Sequence, residues 1–212
     1  MKRNLFVLAC IVALTVVTAS ASNLLSNGSF QSGDFSNWVL GTTPDGTAGE
    51  GYPIVTTWPL GGQNAAKYEV GQIQSDGLFE GATLSQDFFT SGGMATLSFL
   101  WAAQGDGIHE NADGGLFELI LDGSVLASHD VGTIEPNDLL SGMLSASLNL
   151  TPGTHTFEID ILRPFLTLPG NTPYQYVTGA SVDAATTPEP GTLLLLGAGL
   201  LGVLGTMRRR RK

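Results

Sequence analysis

The sequence has a single cysteine and few basic residues, and both shortages exclude classes of site. Cys10 lies in a hydrophobic run near the N-terminus, so the remainder of the chain has neither a disulfide nor a cysteine metal site. Of the nine basic residues only Lys67 and Arg163 lie between positions 22 and 187, where they face eighteen acidic residues and leave a formal charge of −16. Because nucleic-acid binding needs cations to neutralise phosphates, we exclude nucleic acid as a partner.

The first 21 residues have the pattern of a secretory signal peptide. A positive start is followed by an apolar run at 5–17 and by small residues, Ala19 and Ala21, at the positions that signal peptidase reads. We therefore predict a signal helix that is cleaved before Ser22. Because Cys10 lies inside the apolar run and not at the cleavage boundary, we expect no lipid anchor.

The C-terminal end, residues 186–212, combines three features. A polar spacer contains Pro188, Glu189 and Pro190, residues 191–207 carry no charge, and residues 208–212 are four arginines and a lysine. Seventeen helical residues span roughly 25 Å, the short end of a membrane crossing. The basic cluster predicts a transmembrane helix whose C-terminus stays in the cytoplasm and whose preceding domain is exported.

This tail resembles the PEP-CTERM sorting signal, which has a Pro-Glu-Pro motif, a short transmembrane helix and a terminal arginine cluster in the same order. The resemblance implies that an exosortase processes the chain near Pro188, Glu189 and Pro190. It also implies a Gram-negative bacterium that makes exopolysaccharide and biofilm. The expected location is an inner-membrane precursor that passes to the periplasm, the cell surface or the extracellular space.

Residues 22–185 have the composition and periodicity of one all-β domain. They are rich in Gly, Ser and Thr and poor in the Lys, Glu and Arg that build exposed helix faces. Apolar residues alternate with polar ones in four runs, at 96–101, 117–121, 144–150 and 156–161. We predict an antiparallel β-sandwich of the jelly-roll type.

Turn signals separate these runs. Asp122-Gly123 predicts a hairpin between 117–121 and 125–127, and Thr151-Pro152-Gly153 and Ser91-Gly92-Gly93 each predict a turn between strands. The stretch 139–150 also has some helical spacing, but Gly142 and the Ser-rich flank favour a strand.

The start of the domain resembles the opening of carbohydrate-binding-module-like jelly rolls of the galactose-binding-like type. Asn23-Leu24, Asn27-Gly28-Ser29-Phe30, Gly33 and then Trp38 carry the likeness. The resemblance implies a β-sandwich and a calcium site near the last strand. Asp183 stands alone where that family has an Asp-Asp pair, which departs from the calcium pattern.

No catalytic pattern is present: the sequence has no nucleophile elbow, zinc-protease motif or phosphate-binding loop. We therefore predict that the chain is not an enzyme. The loop 104–115 brings hard oxygen donors together with glycines, a combination that suits calcium, and the candidate ligands are Asp106, Glu110, Asn111 and Asp113. The alternative interpretation of residues 104–115 is an ordinary solvated loop.

Sugars stack on exposed aromatic rings, and Tyr52 and Trp58, beside a Gly/Pro-rich stretch, are the predicted exposed platform for a glycan. Trp38 and Trp101 are predicted to be core residues. The favoured function is a non-catalytic surface or matrix protein associated with exopolysaccharide. A calcium-dependent carbohydrate-binding module and a polysaccharide-acting enzyme are the alternatives.

Overall fold

A computed structural model describes residues 22–184, which form one compact unit. The predicted signal helix, the cleavage-site residues Ala19 and Ala21, and the predicted sorting tail lie outside the described residues. Across positions 22–184, no helix has both the length and the apolar character that a membrane crossing needs.

The described residues form an all-β fold, as the composition predicts. Thirteen strands follow one another along this stretch. They are β1 (Ser22–Asn23), β2 (Val39–Thr42), β3 (Gly46–Thr47), β4 (Ile54–Thr57), β5 (Asn64–Tyr68), β6 (Gly71–Gln72), β7 (Glu80–Thr90), β8 (Gly93–Gln104), β9 (Leu116–Leu121), β10 (Ser124–Asp130), β11 (Leu139–Leu150), β12 (Gly153–Arg163) and β13 (Tyr174–Ala184).

Two antiparallel sheets form the sandwich. The first has the order β11-β8-β13-β5-β4, with β1 also pairing to β13, and the second has the order β10-β9-β12-β7-β2. A short pair, β3-β6, stands apart. The predicted antiparallel β-sandwich is therefore confirmed.

The core lies between the two sheets and comes from the alternation seen in the sequence. Leu97 and Phe99 on β8 face Phe117 and Leu119 on β9 and Phe157 on β12, and all five side chains are fully buried. Each such side chain stabilises the fold by about 1.5–3 kcal/mol through removal of apolar surface from water. Trp38 and Trp101 belong to the same cluster, so their predicted core role is confirmed.

The predicted turns occur, but two of them join strands of different sheets. Asp122-Gly123 closes the β9–β10 hairpin, with both residues at positive φ, 51° and 75°. The turns at 91–92 and 151–152 instead carry the chain from one sheet to the other, from β7 to β8 and from β11 to β12. The stretch Leu139–Leu150 is a strand along its whole length, as Gly142 and its flank suggest.

The motif at the start of the domain is structural. Asn23 Oδ1 accepts hydrogen bonds from the backbone N–H of Leu25 and Val182, and its Nδ2 donates to the Ala180 carbonyl. Gly28 packs against that same carbonyl so closely that an added Cβ would lie 2.0 Å from the oxygen. The motif thus ties the first residues of the domain to an irregularity in β13, where the register shifts between Thr178 and Ser181.

The ends of the domain meet at one end of the sandwich. Ser22 pairs with Ala184, so the chain enters and leaves side by side. β13 begins ten residues earlier at Tyr174, roughly 35 Å away along an extended strand. Tyr174 and the loops around it therefore lie at the end of the sandwich farthest from both chain ends.

Candidate functional site

The loop predicted to bind calcium uses Asp106 to close on its own backbone. The Asp106 carboxylate accepts hydrogen bonds from the N–H of Ile108 at 2.8 Å and of His109 at 2.7 Å. It also contacts the His109 ring nitrogen at 2.9 Å. These contacts occupy oxygen positions that a cation would use.

The remaining candidate ligands in this loop do not converge on Asp106. Asp113 is buried and accepts the Gly115 N–H at 2.6 Å, Asn111 donates to a backbone carbonyl at 3.3 Å, and Glu110 is exposed. Within positions 22–184, no group of three or more His, Cys, Asp or Glu side chains is close enough to hold a metal ion. Calcium binding here stays a prediction.

Trp58 is not an exposed platform, and this part of the sequence prediction is wrong. It is 6% exposed and belongs to a second apolar cluster, with Ala65, Ala102 and Tyr176, on the outer face of the first sheet. The turn at 58–63 folds Trp58 back over the sheet. The backbone N–H of Trp58 closes this turn by donating a hydrogen bond to the Gln63 carbonyl at 2.8 Å. The indole is therefore packed against the outer face of the first sheet and is not an exposed surface.

Next to this cluster lies a group of four side chains that we call the tyrosine–lysine face: Tyr52, Lys67, Tyr174 and Tyr176. The Lys67 Nζ lies 3.4 Å from the ring centroid of Tyr174 and 5.7 Å from those of Tyr52 and Tyr176. The rings of Tyr52 and Tyr174 are 6.2 Å apart between centroids. Tyr52 thus lies where an aromatic platform was predicted, but with partners other than Trp58.

Strand pairing explains why these residues meet. Lys67 on β5 pairs with Tyr176 on β13 and with Ile54 on β4, so their side chains leave the same side of the sheet. Tyr174 precedes Tyr176 by two positions and therefore shares its face. The Tyr176 hydroxyl donates to Gln104 Oε1 at 2.8 Å, which fixes the ring orientation.

The electrostatics of the tyrosine–lysine face follow from partial burial. Burial lowers the pKa of Lys67, against the opposing charge of Glu69. Burial also raises the pKa of Tyr176 to about 12, with further contributions from Tyr174 and Tyr52, and raises the pKa of Tyr52. The face thus combines the apolar surfaces of tyrosine rings with one partly buried lysine.

The outer face of the second sheet has the opposite character. Asp160 on β12 lies between Glu118 on β9 and Thr83 on β7, and Glu158 lies two positions away on the same strand. Burial, and then the hydrogen bond and charge of Glu158, raise the pKa of Asp160 to about 8. Burial also raises the pKa of Glu118. One face of the sandwich is thus acidic and the other aromatic.

A shallow depression of about 350 Å³ lies at the edge of the acidic sheet. Its lining consists of small polar side chains and one valine: Ser26, Asn37, Val39, Ser85, Gln86 and Asp87. Gln86 is already bonded in both directions to the backbone of Ser26, so its amide has a structural role. The depression has no aromatic ring on which a sugar could stack.

Sequence reasoning did not select Lys67, Tyr174 or Tyr176. Two signals were available: Lys67 is one of only two basic residues in a strongly acidic domain, and Tyr174 and Tyr176 are separated by the period of a strand. Neither signal identifies a partner strand. Only the pairing of β5 with β13 brings the lysine and the tyrosines together.

Comparison with known protein families identifies the tail. Residues 186–211 match the PEP-CTERM protein-sorting motif, which includes Pro188, Glu189 and Pro190. The chain therefore carries the sorting signal of exported proteins that an exosortase processes from a membrane-anchored precursor. No curated protein sequence matches the chain.

The sandwich is similar to two solved carbohydrate-binding domains and to an adhesin domain. A family 61 carbohydrate-binding module in complex with β-1,4-galactotriose is 14% identical, covering 76% of this chain and 98% of its own, with a TM-score of 0.44. The CBM22-1 xylan-binding domain of Paenibacillus barcinonensis Xyn10C is 10% identical, with coverage of 81% and 100% and a TM-score of 0.44. The K3 cleaved adhesin domain of Lys-gingipain from Porphyromonas gingivalis is 11% identical, with coverage of 77% and 100% and a TM-score of 0.47. At these identities the similarity is one of β-sandwich shape, and it gives no information about a ligand.

Proposed function

We propose that this chain is an exported, non-catalytic protein that binds extracellular polysaccharide through the tyrosine–lysine face and is sorted to the surface or matrix by an exosortase. The observation that carries the proposal is the group of half-buried Tyr52 and Tyr174 around Lys67, which lies over the buried Tyr176 on the outer face of the first sheet. The PEP-CTERM motif at 186–211 supports the route of export.

The chemistry of the tyrosine–lysine face suits a sugar. Tyrosine rings offer a large apolar surface with a polar edge and lose little conformational freedom on binding. The neighbouring Ile54 is 42% exposed and extends the apolar surface along β4. A few polar groups beside such a surface give orientation, and here Lys67 and Gln104 supply them.

The position of the face also suits a tethered receptor. Tyr174 starts β13 at the end of the sandwich opposite the paired chain ends Ser22 and Ala184. A polysaccharide at Tyr174 therefore approaches the domain from the side away from the segment that leads to the sorting tail.

The test is binding of the host's own exopolysaccharide to the full-length chain in a zwitterionic detergent, which has no sugar headgroup to compete. We expect saturable binding that weakens about 5- to 30-fold in Tyr174→Ala, because stacking of one sugar on an aromatic ring contributes about 1–2 kcal/mol. Tyr52→Ala is a second variant at the edge of the same face.

Phe89→Ala is the matched control, since Phe89 is an aromatic residue that is 70% exposed on the other sheet. It should bind as the unchanged chain does. Absence of saturable binding, or an equal loss in Phe89→Ala and Tyr174→Ala, would contradict the proposal. A parallel titration with a chelator tests the calcium-dependent alternative at Asp106, Glu110, Asn111 and Asp113, for which binding would be lost.

A further inference from the structure

Lys67 is the one lysine or arginine side chain that a ligand can reach within residues 22–184. The other residue of these two types in this stretch, Arg163, is 3% exposed. Its guanidinium donates to the backbone carbonyls of Asp113 at 2.9 Å and Val70 at 3.3 Å. The positive charge of Arg163 therefore serves the fold, and the charge of Lys67 lies at the surface.

The Lys67 ammonium has no acceptor in the part of the chain that the structure describes. It forms no hydrogen bond or ion pair there, and its contacts are the three tyrosine rings. Glu69 is the acidic group whose charge acts on it, but Glu69 is 4% exposed and faces Arg163 as well. A partly buried ammonium whose contacts are ring faces gains cation–π attraction but no hydrogen-bond acceptor for its N–H donors, which favours a ligand that supplies an anionic acceptor.

We infer that the tyrosine–lysine face selects glycans that carry carboxylate groups, such as uronic acids, with the carboxylate on the Lys67 ammonium and the sugar ring against Tyr52 or Tyr174. This inference rests on the proposed function and adds its substrate class. Lys67 is the residue that determines the specificity, and the tyrosines contribute affinity for sugars of either kind.

The overall negative charge of the domain repels such a ligand, whereas Lys67 attracts its carboxylate. The repulsion acts at long range and the attraction at short range. The formal charge of −16 is spread over the whole surface, and the Debye length at 0.15 M salt is about 8 Å. Long-range repulsion is therefore largely screened, whereas the contact between Lys67 and a carboxylate occurs at hydrogen-bond distance. At physiological salt, the attraction between Lys67 and the carboxylate is therefore stronger than the screened repulsion by the whole domain. At low salt the repulsion is less screened and weakens the same complex.

The experiment compares acidic glycans with their carboxyl-reduced forms, in which a neutral hydroxymethyl group replaces each carboxylate. The probes are alginate, polygalacturonate, hyaluronate and the host's exopolysaccharide, each before and after reduction, with the full-length chain at 0.15 M salt. We expect at least one native probe to bind about tenfold more tightly than its reduced form, the effect of one charge-assisted hydrogen bond of about 1.4 kcal/mol. Raising the salt from 0.02 M to 0.15 M should strengthen that binding.

Two variants isolate the charge. Lys67→Met keeps the length of the apolar stem and should bind the native and the reduced form of each probe equally. Lys67→Arg keeps the charge and should retain the preference. Thermal unfolding of both variants checks that the tyrosine cluster is intact.

The outcomes separate the two proposals. Equal binding of native and reduced probes, or a preference that survives in Lys67→Met, overturns the specificity inference while saturable binding of exopolysaccharide still supports the proposed function. Absence of binding to every probe overturns both.

Discussion

Replacing Asp160 by Asn should stabilise the domain at alkaline pH and flatten its pH profile. Asp160 is half-buried in the acidic face, with Glu118 directly opposite on β9 and Glu158 two positions away. Its Oδ1 atom is buried without a hydrogen-bond partner among the residues that the structure describes. Asn has nearly the same shape, carries no charge, and has an amide that can donate to Glu158.

The magnitude follows from the pKa of Asp160, which burial and Glu158 raise from 3.8 to about 8. Because the folded state binds this proton more tightly than the unfolded state, stability is greatest near pH 4 and is lost as the pH rises through 8. A difference of that size corresponds to roughly 6 kcal/mol at most. Solvent at this half-exposed position screens it, and we expect about 2 kcal/mol to remain.

Chemical unfolding of the unchanged chain and of Asp160→Asn from pH 4.5 to 9 is the assay. The variant should gain about 2 kcal/mol at pH 8.5, which raises the melting temperature by about 4–8 °C for a domain of this size, and should differ little at pH 4.5. Glu110→Gln, at an exposed loop carboxylate, is the control and should show no such gain. If Asp160→Asn is no more stable than the unchanged chain at pH 8.5, the carboxylate repulsion inferred from the strand pairing is wrong.

Two further predictions concern the first strand and the tail. Gly28→Ala should lower the free energy of unfolding by about 3 kcal/mol, because the new Cβ would meet the Ala180 carbonyl oxygen at 2.0 Å. Gly28 is not among the glycines at positive φ, so the contact and not the backbone conformation is the expected cause. A Gly28→Ala variant as stable as the unchanged chain in chemical unfolding would contradict this prediction. Deletion of residues 191–212 should move the exported protein from the membrane to the soluble fraction in cell fractionation, because the sorting motif at 186–211 contains the predicted anchor. Retention in the membrane fraction would contradict the predicted topology.

The sequence alone was enough to predict the fold class and the sorting tail, since both depend on local patterns. Alternation of apolar residues such as Phe157 and Ile159 depends only on neighbours in the chain, and it predicts a half-buried strand without knowledge of its partner. The tail is recognisable because Pro188-Glu189-Pro190, an uncharged run and a basic end follow one another in a fixed order.

Tertiary structure decided where the two faces lie and what they contain. Trp58 has the same local sequence whether it is exposed or folded back, and only its packing on Ala102 and Tyr176 buries it. Lys67 is more than a hundred positions from Tyr174, and register between β5 and β13 brings its ammonium to 3.4 Å from that ring. Sequence periodicity predicts on which side of its strand a residue lies. Periodicity does not predict which strand lies beside that residue, because strand pairing depends on how the apolar faces of all strands are buried together in the core.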